Sequence, residues 1–241
     1  MHQAHRVVLI PVDIERHSLE PLVSGTVPLR ARSGLASPFN RMVKRIFDVV
    51  AALLLLGLLV PICMIVLLMI MRDGGPIFFA HERIGRNGRI FKCFKFRTMV
   101  RDAGAALEQV FTSDPAAREE WLRTRKLKND PRITRIGRLL RHTSIDELPQ
   151  LINVLLGEMS LVGPRPVVQQ ELHEHYKGDT SHYLFVRPGL TGLWQISGRS
   201  RTDYEQRIHL DSSYVRNWSL WVDITILFRT VPVVISRQGA Y

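Results

Sequence analysis

From Val49 to Met71 the chain reads VVAALLLLGLLVPICMIVLLMIM, twenty-three residues without a charge. As a straight helix rising 1.5 Å per residue this run would extend about 34 Å, enough to cross a hydrocarbon core of about 30 Å. Lys44 and Arg45 precede it and Arg72 follows it, so the segment belongs in a membrane. Pro61 divides it into twelve residues before and ten after. Each leg is then about 15–18 Å long, half the core thickness, and two such legs could enter and leave one leaflet. Arg41, Lys44 and Arg45 stand on one flank and Arg72, Arg83, Arg86 and Arg89 on the other, so both flanks carry the cytoplasmic signature. Because proline is tolerated in spanning helices, these facts leave a spanning helix and a re-entrant hairpin level.

A formal charge of +11 beside 46% hydrophobic residues excludes a disordered tail and points to an anionic partner: lipid headgroups, phosphorylated small molecules or nucleic acid. Cys63 and Cys93 stand apart from each other and from any Cys/His cluster, which suggests neither a disulfide framework nor a structural zinc. His173 and His175 alternate rather than share a helix face and read as a solvated pair. Residues 1–40 mix Pro, Ser, Gly and charge, lack a signal-peptide pattern, and read as a poorly ordered cytoplasmic arm. The expected organisation is therefore an arm (1–40), a membrane helix (41–72) and a catalytic-size domain (73–241).

Within the last part, Pro76 to Arg97 predicts a β-hairpin, with the apolar stretches IFF and IFKCF flanking an Asn87-Gly88 two-residue turn. Residues 102–128 read as helical. Thr134 to His142 places Ile136, Leu139 and Leu140 on one face and Arg135, Arg138 and Arg141 on the other. Trp218 to Ile235 reads as a core or interfacial helix. The fold class is α+β, mainly helical, with a small hairpin and interfacial amphipathic helices around the membrane segment.

Three groups suit phosphate chemistry. In Lys95-Phe96-Arg97-Thr98-Met99 a strand would turn Lys95 and Arg97 to the same side, a two-pronged cationic contact or else a solvated face. In Ser144-Ile145-Asp146-Glu147-Leu148-Pro149 the residues Ser144 and Glu147 could form a capping box, but Pro149 would fall at the fifth helical position, where it removes a needed amide. A broken or late-starting helix would instead leave Asp146 and Glu147 exposed beside Arg141, one carboxylate attacking phosphorus or holding a divalent metal and the other supporting it. In Gly163-Pro164-Arg165-Pro166 two prolines stiffen the backbone around Arg165, which suits bidentate phosphate contact as well as it suits a rigid surface turn. An Asp-x-Asp pair and a G-x-x-x-x-G-K-[ST] phosphate loop are both absent, against kinase, ATPase and many glycosyltransferase readings.

Taken in order, Lys44 to Asp48, Gly75 to Phe79, Lys95 to Met99, Asp130 to Thr134, Ser144 to Gln150, Met159 to Pro166, Arg187 to Gln195, Ser197 to Arg199, Tyr214, Asn217 to Ser219 and Gly239 to Tyr241 resemble the bacterial sugar transferases, the monotopic polyprenyl-phosphate phosphoglycosyltransferases. The likeness covers roughly residues 41–241. It implies that Asp146 and Glu147 are the catalytic pair, that Asp146 attacks the diphosphate and helps bind Mg2+, and that Lys95, Arg141 and Arg165 bind substrate, to which the strand spacing adds Arg97 as a substrate-binding residue. It implies a re-entrant helix broken at Pro61, although Val60 stands where the family usually has Ser. The reaction it implies takes a hexose 1-phosphate from a UDP-sugar to undecaprenyl phosphate at the cytoplasmic face of the bacterial inner membrane. Its partners would be those two substrates and membrane lipid, without nucleic acid, and a homo-oligomer is compatible with it. The short length and the Gly-Leu-Thr-Gly-Leu-Trp-Gln block look like the rhizobial-type enzymes that prime exopolysaccharide with galactose. The contrasting reading, from the charge alone, is a basic membrane-anchored scaffold that binds anionic lipid or nucleic acid without turnover.

Overall fold

The computed structural model describes residues 8–9, 33–72, 74–124, 127–176, 179–198 and 203–236. Most of the arm, Arg199 and the terminal Gly239, Ala240 and Tyr241 of the resemblance lie outside the described residues. Strand β1 (Val8–Leu9) pairs in parallel with the hairpin described below. Ser33 Oγ donates to the Val215 carbonyl at 2.6 Å and Leu35 is buried, so the packed body begins ahead of residue 41.

Helix α1 (Pro38–Met71) is a single helix of 34 residues with Pro61 inside it. The expected break at Pro61 does not interrupt the helical pairing, which continues through it. Proline removes one amide from the ladder, and the turns on either side keep their own bonds and carry the helix through. The helix touches the protein along one stripe. Lys44, Asp48 and Ala52 are buried toward its start, Val66 and Ile70 toward its end. Between them Leu58, Val60, Pro61 and Ile62 are exposed, and a Cβ added at Gly57 would meet nothing within 4 Å. It is long and apolar enough to cross a membrane, and only 11% of its most apolar window is buried.

Strands β2 (Phe78–Ile84) and β3 (Ile90–Phe96) form the predicted antiparallel hairpin, in register from Phe78 opposite Phe96 to Ile84 opposite Ile90. Its connection is longer than the two-residue turn expected. Gly85 to Arg89 form the loop, closed by Gly85 N–H donating to the Arg89 carbonyl at 2.7 Å, with both Asn87 (φ 58°) and Gly88 (φ 76°) left-handed. The helical stretch beyond is two helices, α2 (Ala103–Ser113) and α3 (Pro115–Thr124), parted at Asp114-Pro115, where proline suits a helix start. Helix α4 (Arg135–Thr143) begins as expected, its Thr134 hydroxyl accepting from Gly137 N–H at 2.8 Å. Its faces differ from expectation: Leu140 is buried but Leu139 is exposed, because Arg141 turns inward to the site and rotates the stripe.

Helix α5 (Gln150–Leu156) packs on the hairpin and on α1. Strands β4 (Ser160–Val162) and β5 (Gly189–Thr191) pair in parallel behind it. A Cβ on Gly163 would stand 2.6 Å from the Arg187 carbonyl oxygen and one on Gly189 2.1 Å from Gly163 N, so the two chains meet closer than any side chain allows. Helices α6 (Tyr204–Arg216) and α7 (Leu220–Ile235) close the body, each capped by the hydroxyl or carboxylate before it, Ser219 and Asp203. Buried Leu151, Val154, Met159, Leu161, Tyr214 and Ile226 form the central core where α5, β4, α6 and α7 meet. On the outer side of α7, Trp221, Phe228, Val231 and Ile235 form an exposed apolar stripe, the interfacial rather than the core arrangement.

Candidate active site

The turn between α4 and α5 carries the acidic pair. Ser144 ends α4 in the left-handed region (φ 57°, ψ 14°), and Ile145–Glu147 form one 3-10 turn before Pro149 opens α5. The helix thus starts late, as Pro149 required. The capping box is not formed, since the Ser144 side chain makes no cap bond and its backbone is left-handed. Such a conformation in a residue other than glycine costs free energy and is often kept at functional sites.

Lys95 of β3 meets this turn. Its Nζ lies 2.6 Å from Glu147 Oε1 and 3.7 Å from Asp146 Oδ2. Asp146 is only 7% exposed, contrary to the open pair expected, while Glu147 is partly open to solvent. Burial pushes the Asp146 carboxyl up to about 6, with Glu147 adding to the rise and Lys95 and Arg141 opposing it. Burial alone would lower the Lys95 ammonium, but Glu147 and Asp146 outweigh it and hold Lys95 above its usual range. Lys95 stays a cation in the working pH range.

Arg141 completes the group. Its Nε donates to Thr98 Oγ1 at 2.9 Å, and burial lowers the guanidinium while Asp146 and Asp130 favour its charge. Asp130 is itself held by Arg132 through two bonds of 2.8 and 2.6 Å. The close passage of α4 over the end of the hairpin is what permits this: a Cβ on Gly137 would stand 1.9 Å from the Thr98 carbonyl oxygen. Asn153, wholly buried in α5, fixes the hairpin to the helix by accepting from Phe94 N–H at 3.0 Å and donating to the Lys92 carbonyl at 2.7 Å. Sequence reasoning passed over it, and its one signal was an amide inside the apolar run QLINVLL.

The other two basic residues singled out in the sequence make different contacts. Arg97 is buried and donates to the Ile70 carbonyl at the end of α1 at 3.3 Å, packed against Gly75. Lys95 sits inside β3 and Arg97 just beyond its end, where the period-two rule lapses. Arg165 is exposed between its prolines, with its Cζ 5.4 Å from the centre of the Trp194 ring. Buried Pro164 and Gly163 hold it, the Pro164 carbonyl accepting from Gly189 N–H at 2.8 Å.

Among the described residues no group of three or more His, Cys, Asp or Glu side chains is placed to hold a metal. The adjacent carboxylates fit a different kind of site, in which one or two carboxylates and the substrate's own phosphates hold a magnesium ion.

The bacterial sugar transferase family matches residues 39–237. The UDP-galactose-lipid carrier transferase of Erwinia amylovora is 56% identical over 213 residues, 88% of this chain and 44% of that protein. The undecaprenyl-phosphate galactose phosphotransferase of Salmonella typhimurium is 51% identical over 213 residues, again 88% of this chain and 44% of that protein. The exopolysaccharide production protein ExoY of Rhizobium meliloti is 50% identical over 210 residues, 87% of this chain and 92% of that protein. The chain thus spans less than half the length of the first two relatives and nearly all of the third.

Proposed function

The chain belongs to the bacterial sugar transferases, and on that premise we propose that it transfers a hexose 1-phosphate from a UDP-sugar, galactose or glucose favoured, to undecaprenyl phosphate with release of UMP. The observation that carries this reading is the acidic pair: a buried carboxylate raised to about 6, set between a lysine and an arginine.

Asp146 Oδ attacks the sugar-bearing phosphorus. The bond from that phosphorus to the bridging oxygen breaks, its electron pair leaves with UMP, and the phospho-sugar remains on Asp146 as an acyl phosphate. An oxygen of undecaprenyl phosphate then attacks the same phosphorus, Asp146 departs as a carboxylate, and the product is the undecaprenyl diphosphate sugar. Lys95 orients the pair and offsets the charge that gathers there, Glu147 holds Lys95, and Arg141 faces the phosphoryl oxygens. At an effective dielectric of about 20 two unit charges 4 Å apart repel by about 4 kcal/mol, so three anionic groups at one point demand such cations. A magnesium ion held by Asp146 and the donor phosphates would supply further charge neutralisation.

We read α1 as re-entrant, bent at Pro61 within the continuous helical run. Both ends of the helix pack on one body and its middle around Pro61 stands clear, whereas a spanning helix would leave the body at one end. The apolar stripe of α7 would lie at the headgroups. The catalytic face is cytoplasmic, where UDP-sugars are made, and the positive charge serves phosphate substrates and anionic lipid rather than nucleic acid.

Purified protein given a panel of nucleotide sugars, undecaprenyl phosphate and magnesium should release UMP with a UDP-hexose; no release with any donor sinks the proposal. For topology, Ser37→Cys and Ile90→Cys in a background lacking Cys63 and Cys93 should label from the same side of oriented vesicles with an impermeant thiol reagent. Labelling from opposite sides establishes a spanning helix.

A further inference from the structure

Arg207 of α6 is 5% exposed and has an open hydrogen-bonding edge. Its Nη1 donates to Glu171 Oε1 at 2.7 Å, but Nε and Nη2, the two nitrogens that form a guanidinium's parallel fork, have no hydrogen-bond partner. Arg132 shows the same edge closed, on Asp130. Leaving it open on a buried cation is costly, since unmet donors there lose water and gain nothing in return.

The surroundings are aromatic and cationic. The Arg207 Cζ lies 4.8 Å from the centre of the Trp194 ring and 5.2 Å from that of Tyr204. Ring faces attract the charge but do not replace an in-plane oxygen acceptor. The same indole carries a second guanidinium, Arg165, and two cations on one ring call for an anion. Glu171 is shared, accepting from the Tyr204 hydroxyl as well as from Arg207. Asp211, pushed up to about 7 by burial and bonded by the Tyr176 hydroxyl at 2.8 Å, offsets the charge only in part. An anion that presents two oxygens side by side fits the fork, and a phosphoryl group does so as well as a carboxylate. Arg165 is also tied to the hairpin that carries Lys95, because Arg83 of β2 donates to the Pro166 carbonyl at 3.4 Å.

We propose that the open edge of Arg207, with Arg165 beside it, seats the second phosphate of the donor, the one that departs as the phosphate of UMP. The inference rests on the transfer reading above. A diphosphate needs two cationic seats. Lys95 and Arg141 attend Asp146, where phosphorus is attacked, so the pair on Trp194 is left for the leaving group. As the bond to the sugar-bearing phosphorus breaks, charge builds on the departing phosphate, and a fixed fork stabilises it where it develops. Tyr204, 39% exposed, is the solvent-facing neighbour whose movement admits the phosphate.

The test is equilibrium binding of UMP, of uridine and of undecaprenyl phosphate to the full chain in nanodiscs. Wild type should prefer UMP over uridine. Arg207→Lys, which keeps the charge and loses the fork, should shrink that preference by roughly tenfold or more and leave undecaprenyl phosphate unchanged. An unchanged preference, or a loss that falls on undecaprenyl phosphate instead, overturns the assignment. A wild type that ignores UMP overturns the transfer reading and this inference with it. Should Arg207→Lys melt far below wild type, a structure of the wild-type chain with UMP decides: phosphate oxygens on Nε and Nη2 support the seat, and phosphate bound elsewhere rejects it.

Discussion

Asp223 of α7 and Asp146 of the turn before α5 are both buried, and each faces a lysine from a distant segment. Asp223 is 0% exposed and fully matched: its oxygens accept from Lys44 Nζ at 2.6 Å, the Tyr214 hydroxyl at 2.7 Å and Trp218 Nε1 at 3.1 Å. Asp48, one turn along α1 from Lys44, is matched in the same way by Ser160 Oγ at 2.8 Å and Leu161 N–H at 3.2 Å. This network ties α1 to α7 and β4. Asp146 has its lysine at 3.7 Å, while the close contact of 2.6 Å goes to Glu147. A buried charge with several close donors holds structure together, and one left short of partners is poised for chemistry at a cost in stability. The two aspartates therefore respond oppositely to the same kind of substitution.

The largest expected effect is on turnover. Asp146→Asn should lower sugar-phosphate transfer by at least about a thousandfold, as loss of a covalent nucleophile does in other enzymes. It should also abolish UMP release without acceptor, and intact-protein mass spectrometry should show the phospho-sugar adduct on wild type alone. Glu147→Gln should slow both half-reactions and leave wild-type ping-pong kinetics in place. Intersecting initial-rate lines for the wild type would establish direct transfer in a ternary complex and remove the contrast at its active end.

Next is the anchor. Lys44→Ala strands Asp223 in the interior and should cost about 3–5 kcal/mol, read as a fall in the denaturation midpoint in detergent. Lys44→Met with Asp223→Leu should recover only part of it, because Asp223 is no longer stranded but Asp48 still loses its lysine and Trp218 Nε1 its acceptor. Equal melting of wild type and Lys44→Ala would show that the network contributes little.

Arg165→Lys follows, with an expected ten- to hundredfold loss of kcat/KM, about 1.4–2.8 kcal/mol, and an unchanged melting temperature. Near-normal turnover would return Pro164-Arg165-Pro166 to a surface turn.

Local rules made much of this readable. The hairpin, the helix begun at Thr134 and the late start of α5 each follow from a few neighbouring residues, and Asp146, Glu147, Lys95 and Arg141 come together. What escaped depends on partners far apart in the chain. Lys44 and Asp223 are 179 positions apart, Asn153 and Lys92 61, Arg207 and Glu171 36, and no periodicity encodes such pairings. Arg97 parts from Lys95 for a related reason, since its side depends on where the strand ends and on the end of α1 beside it. Asp146 looked exposed because two adjacent acids usually are, and only the packing of α4 and β3 over the turn buries it.

The smallest effect tests the comparison from the stability side. The folded carboxyl of Asp146 titrates at about 6, above the unfolded value of about 3.9. A raised folded value means that the protonated form is favoured in the fold: its contribution is fully present below about 3.9 and is lost as pH rises through about 6. At pH 7 wild type therefore carries the cost of an ionised, under-partnered group. Asp146→Asn, neutral at every pH, should be the more stable protein at pH 7 by on the order of 2 kcal/mol, discounted from the two-unit shift because Lys95 must find a new balance. The gap should narrow as pH falls from 7 through 6 and close near pH 4. Asp223→Asn, in contrast, should be less stable than wild type at pH 7, since it leaves Lys44 only the longer 3.7 Å pairing with Asp48 and unmakes a matched set. Melting curves of the three proteins between pH 4 and 7 provide the check. If Asp146→Asn is destabilised like Asp223→Asn, both aspartates are structural anchors, and the distinction between a matched and an under-partnered carboxylate fails.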